Sequence, residues 1–152
     1  MRCDHVGRMK HDLDRFVAAQ DGIYPQALAE LERGAKRSHW MWFIFPQIAG
    51  LGQSAMARTY AIAGADEARA YLAHPVLGPR LMAVTQVVTA APGSAETILG
   101  GIDAVKLRSS MTLFAAVAED PTLFRAALDR FFGVEDDRAT LDLLRGRDKT
   151  PQ

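Results

Sequence analysis

The sequence predicts a mainly α, multihelical single domain with one short extended aromatic segment. Three observations carry this. Apolar residues recur three and four apart over most of the chain, as on one face of a helix. Helix-ending residues fall between those stretches, at Asp21-Gly22, Gly34, Gly64, His74-Pro75, Ala91-Pro92-Gly93, Gly100-Gly101 and Gly133. Trp40–Phe45 departs from the helical period because it is apolar at every position, and Pro46 stops it from continuing as a central strand.

Residues 1–11 have no periodicity and read as a flexible N-terminal extension; residues 12–146 form the domain, and 147–152 a frayed polar tail. Asp12 caps a first helix whose face is Leu13, Phe16, Val17 and Gln20. Pro25 opens a second helix and Gly34 closes it, with Ala27, Leu28 and Leu31 inward and Gln26, Glu30, Glu32 and Arg33 outward. Ser54 caps the helix after the aromatic segment, and Asp66 the next, where Ala68, Tyr71 and Leu72 face inward. A helix from Pro75 spaces Leu77, Leu81, Val84 and Val88. Gly78 weakens its first turn by about 1 kcal/mol relative to Ala. Ser94–Leu99 is a short helix, and Ile102 to Ala118 a long one with Ala104, Leu107, Met111, Phe114, Ala115 and Ala118 inward. Pro121 begins a helix carrying Leu123, Phe124, Ala127, Leu128, Phe131 and Phe132, and Asp136-Asp137 lead into the last, with Leu141 and Leu144.

Composition narrows the function. At 152 residues the chain fits one domain with a real core. Lys+Arg and Asp+Glu are equal at 18 each, so no global field draws it to nucleic acid or an anionic membrane. Its apolar runs are too short to span a bilayer, and Met1-Arg2-Cys3-Asp4-His5 is no signal peptide, so the expected place is the cytoplasm. Cys3 is the single cysteine and cannot form an internal disulfide. No two histidines have ligand spacing and the one cysteine is distal, so no metal site is expected; no cofactor is expected either.

The densest chemistry lies in residues 36–54. Four of the chain's 12 aromatics fall within Trp40–Phe45. Lys36, Arg37, Ser38 and His39 precede them, and Gly50-x-Gly52 leads to Ser54 at a helix start. Cations, indole faces and free N–H groups at a helix N-terminus suit a phosphorylated ring-bearing ligand: rings stack, phosphate meets N–H and Lys/Arg. The ligand-binding set is Lys36, Arg37, Trp40, Trp42, Gln47, Gly52 and Ser54, with Lys106, Ser109 and Ser110 completing the wall from the long helix. His39 is placed to move a proton, as a group titrating near neutrality. Asp137 is the other proton carrier; it also serves as a helix cap. Against this stands the plainer reading, in which the aromatics are core, the glycines make a turn, and the domain is a non-enzymatic interaction or structural module.

The blocks His39-Trp40-Met41-Trp42-Phe43-Ile44-Phe45-Pro46-Gln47, Gly50-Leu51-Gly52-Gln53-Ser54, Glu67-Ala68-x-x-Tyr71-Leu72-x-His74-Pro75-x-Leu77-Gly78-x-Arg80-Leu81 and Lys106-x-x-Ser109-Ser110-Met111-Thr112-Leu113-Phe114 resemble a bacterial family of unknown function, over Asp12 to Gly146. Its members are sometimes labelled "calpastatin". That label implies a protease inhibitor, yet such inhibitors are disordered and polar, whereas this chain is compact and apolar. More remotely, the helix order is similar to NADAR domains, which are linked to NAD and ADP-ribose derivatives. Those carry a Lys-x-x-x-Met helix; here Met111 follows Lys106 one residue later, and Gly133 precedes Asp136-Asp137. Their Glu-His-Tyr helix, whose glutamate is thought to cleave an N-glycosidic bond, has no counterpart here. The resemblance therefore implies binding of a nucleotide- or ADP-ribose-like ligand more than its hydrolysis as an N-glycosidase would perform it. The expected partner is a phosphorylated small molecule, with no nucleic acid and no membrane, and self-association left open.

Overall fold

The computed structural model describes residues 12–133 and 135–148. Among them are ten helices: α1 Asp14–Gln20, α2 Tyr24–Arg33, α3 Met41–Ile44, α4 Ala55–Thr59, α5 Ala65–Ala73, α6 Leu77–Ala90, α7 Ala95–Leu99, α8 Gly101–Val117, α9 Thr122–Phe132 and α10 Arg138–Asp148. The fold is mainly α, as the periodicity predicts. The expected extension, residues 1–11, lies outside the described residues. The last helix runs to Asp148, two residues past the expected domain edge.

Helix ends obey local chemistry. Gly34 and Gly133 take left-handed conformations (φ 74° and 63°) that close α2 and α9. Ser54 Oγ accepts from Ala57 N–H at 3.1 Å, and Ser94 Oγ from Thr97 N–H at 3.0 Å, capping α4 and α7. Two expected caps fail: neither Asp12 nor Asp66 makes a capping bond, the N-cap positions falling at Leu13 and Gly64. The start of α6 has a cap the serine and aspartate pattern does not announce. His74 Nδ1 accepts from Val76 N–H at 3.0 Å and Leu77 N–H at 3.2 Å.

The long helix α8 is the axis of the core. It packs against α5, α7, α9 and α10, while α6 packs against α2, α5 and α9. Rings link the helices: Phe16 to Tyr71 at 5.1 Å between centroids, Tyr71 to Phe114 at 5.4 Å, and Phe114 to Phe124 at 6.0 Å. Each such ring, fully enclosed, contributes about 1.5–3 kcal/mol by leaving water. The α5–α6 corner is tight enough that Gly78 is a packing requirement: a Cβ there would lie 2.2 Å from the carbonyl oxygen of Leu72.

The aromatic segment corrects the expectation of an extended rod. Residues 41–44 form one helical turn, with Ile44 N–H bonded to Trp40 O at 3.1 Å and Phe45 N–H to Met41 O at 3.0 Å. A turn of helix lets Trp40, Met41, Phe43, Ile44 and Phe45 all enter the core and leaves Trp42 half-buried on the outer side. Beyond Pro46 the chain is extended: Ile48 and Ile62 form a parallel bridge, with Ala49 N–H to Ile62 O at 2.8 Å and Ile62 N–H to Gln47 O at 2.9 Å. No helix among the described residues is long and apolar enough to cross a membrane.

Candidate functional site

Trp42 joins two features that the sequence places far apart. On one side is an ionic cluster between the α2–α3 loop and the first turns of α8. Lys36 Nζ lies 2.9 Å from Asp103 Oδ2, and Lys106 Nζ lies 3.1 Å from Asp103 Oδ1. Each ammonium also sits 5.1 Å from an indole centroid, Lys36 over Trp40 and Lys106 over Trp42. Two cations share one carboxylate, so the three groups carry a surplus positive charge. Their side chains are only 10–22% exposed, so that charge is weakly screened.

On the other side is a pocket of about 250 Å³, whose lining includes Trp42, Gln47, Gly50, Gly52, Arg58 and Tyr60. The Ile48–Ile62 bridge and α4 hold its walls. Gly50 takes φ 105°, a conformation that favours glycine, and a Cβ on Gly52 would meet the Ala57 Cβ at 2.6 Å. Arg58 is exposed and bonds only weakly, 3.3 Å to Gln53 Oε1. No carboxylate or imidazole lines the pocket among the described residues.

The predicted residues divide between these two features and the rest of the fold. Trp42, Gln47 and Gly52 meet in the pocket; Lys36 and Lys106 meet at Asp103. Trp40 is a correction. It is fully enclosed, and its Nε1 donates to Glu30 Oε1 at 2.9 Å, so it has no free face for a ligand. Arg37 and His39 have exposed side chains. Ser54 is exposed and its hydroxyl is taken by the cap of α4, a helix of five residues. Ser109 Oγ donates to Asp137 Oδ2 at 3.0 Å. That same oxygen accepts from Thr140 N–H at 3.2 Å and Thr140 Oγ1 at 2.5 Å. Asp137 therefore caps α10 and ties it to α8. Ser110 Oγ is buried and finds no hydrogen-bond partner among the described residues.

Three residues that sequence reasoning missed matter most. Asp103 is one turn before Lys106, a spacing that could have flagged it. Arg58 sits one turn into the helix after the glycines. Glu30 reads as outward from its helix position but is buried. Its carboxylate accepts from Arg37 N–H at 2.8 Å, Ser38 N–H at 3.1 Å, Ser38 Oγ at 2.7 Å, Trp40 Nε1 at 2.9 Å and Gln26 Nε2 at 3.1 Å. Burial pushes this carboxyl up, but the hydrogen bonds from Arg37, Ser38, Trp40 and Gln26 outweigh it and hold it at about 2. Glu30 thus shapes the loop that delivers Lys36 and Trp40.

Among solved structures, the chain is similar to the conserved hypothetical protein Rv1873 from Mycobacterium tuberculosis, with 47% identity over 90% of this chain and 98% of that one and a TM-score of 0.87. No curated protein matches it. Residues 10–144 match the family described as protein of unknown function (DUF1810). That match spans nearly all of the domain, and the chain belongs to this family.

Proposed function

We propose that this domain binds a small phosphorylated ligand with a planar ring, of the nucleotide or ADP-ribose class, in the pocket beside Trp42. The observation that carries the reading is the placement of Trp42: one indole borders a glycine-walled pocket containing Arg58 and bears Lys106 over its ring. The ring of the ligand packs on Trp42 and Tyr60, Gln47 offers an amide, and the phosphate meets Arg58, with the surplus charge of the lysine cluster adding a longer-range attraction. The same ligand class is what the remote resemblance of the sequence to NADAR domains implies. Cleavage of an N-glycosidic bond needs a carboxylate or imidazole at the bond, and the described pocket lining supplies neither. The reading is therefore binding, with His39 and Asp137 outside it.

A thermal-shift series with ADP-ribose, NAD, nucleoside monophosphates and ribose phosphate tests it, since a ligand that binds the folded form raises the melting temperature by mass action. A rise with a phosphorylated, ring-bearing ligand that is lost in Trp42→Ala supports the proposal. No rise at saturating concentration removes it.

One observation favours a second reading, an interaction domain. Ile102 and Val105 stand on the outer side of the start of α8, 77% and 62% exposed. Concentration-dependent sedimentation that Ile102→Ser with Val105→Ser abolishes would support that role.

A further inference from the structure

We infer that the Trp42 pocket discriminates its ligand by ring charge, preferring neutral rings to cationic, pyridinium-type ones. The inference rests on the binding reading above and narrows its ligand class. Lys106 is over the indole that borders the pocket but is not itself a lining residue, so its ammonium lies close to the cavity without entering it. Arg58 supplies a second positive charge from within the lining. A cationic ring in the pocket is thus repelled from two directions. It finds no carboxylate among the described lining residues. The nearby Asp103 has both oxygens engaged, one by each lysine. The indole's attraction for a second cation is weakened, because Lys106 already sits over the ring and repels it.

The size of the effect comes from the distances. Lys106 Nζ is 5.1 Å from the indole centroid. A ligand ring stacked about 3.5–4 Å from the opposite face of that indole would lie roughly 9 Å from the ammonium, the longest separation a stacked ring could have. Lys36, Lys106 and Asp103 together carry one surplus positive charge, and a unit charge at about that distance weakens binding by up to about twofold in a water-like medium and by up to about twentyfold at an effective dielectric of about 20. Arg58 adds to this.

The test uses a pair of ligands with the same ribose and phosphate that differ in ring charge: oxidised and reduced nicotinamide mononucleotide, titrated by calorimetry at about pH 8, where the reduced ring is spared acid decay, with adenosine monophosphate alongside. The reduced, neutral-ring form should bind at least about threefold more tightly. Lys106→Met should shrink that ratio. Arg58→Gln, at an exposed position that folding tolerates, should shrink it too. Equal binding of the two forms, or tighter binding of the oxidised one, overturns the inference while leaving the pocket in place. So does binding of adenosine monophosphate with refusal of both nicotinamide forms. If none of the three binds, the pocket reading itself fails and the inference falls with it.

Discussion

Replacing Gly78 by Ala separates local preference from packing. By helix propensity alone the change should stabilise, since Ala is favoured over Gly by about 1 kcal/mol inside a helix. The structure reverses the sign. A Cβ at residue 78 would lie 2.2 Å from the carbonyl oxygen of Leu72 and 3.0 Å from its carbonyl carbon. Both are backbone atoms at the end of α5, so no flexible side chain can give way. Relief requires α5 and α6 to separate by about 1 Å, opening contacts along their shared face; overpacking of this kind costs about 1–3 kcal/mol. After the propensity gain is subtracted, Gly78→Ala should lose up to about 2 kcal/mol, which lowers the melting temperature by up to roughly 8 °C for a domain of this size. Gly146→Ala is the control. Gly146 lies in α10 with nothing among the described residues within 4 Å of its notional Cβ, so this change should be neutral or stabilise by up to about 1 kcal/mol. Urea denaturation of both variants decides the matter. A Gly78→Ala protein as stable as its Gly146→Ala counterpart would refute the packing argument.

Three further outcomes rest on the same kind of contact. The Glu30 carboxyl titrates at about 2 when folded against 4.5 ordinarily, so its contribution, up to about 3 kcal/mol, is complete above pH 4.5 and is lost as pH falls toward 2. Glu30→Gln should therefore be clearly less stable than wild type at about pH 7, with the gap closing toward pH 2; a constant gap across that range would contradict the assignment. Asp103→Asn strips the counter-charge from two ammoniums and should cost about 2–4 kcal/mol by chemical denaturation, whereas Lys36→Met leaves Asp103 paired with Lys106 and should cost less than about 1 kcal/mol. Equal costs would break the shared-carboxylate account. Asp137→Ala should lower stability by about 1–3 kcal/mol through the lost cap and the lost bond from Ser109, while ligand affinity stays within about twofold; a selective loss of affinity at unchanged stability would return Asp137 to the site.

Helix positions were legible because their signals are local. Gly34, Ser54, Ser94 and Gly133 stop or start helices through their own backbone or hydroxyl. The turn at Trp40–Phe45 was not legible as a helix, since a fully apolar run has no period to read and burial comes from neighbours distant in sequence. Glu30 reads as outward for a similar reason: its partners Arg37, Ser38 and Trp40 lie in a loop that only the fold brings back over α2. The site was half legible. Lys36, Trp42, Gln47 and Lys106 could be picked out by chemical type, but Asp103, which unites the lysines, reads as an ordinary first-turn acid. Arg58 and Tyr60 gain meaning only once the Ile48–Ile62 bridge folds α4 back across the glycines.

The most direct test of the central claim is intrinsic fluorescence during an ADP-ribose titration. The chain has two tryptophans, and Trp40 is fully enclosed, so quenching by a bound ring reports on Trp42. The account predicts saturable quenching in the wild type, weaker affinity in Arg58→Gln, and no quenching in Trp42→Phe. An unchanged signal throughout the titration, or equal quenching in Trp42→Phe, would contradict it.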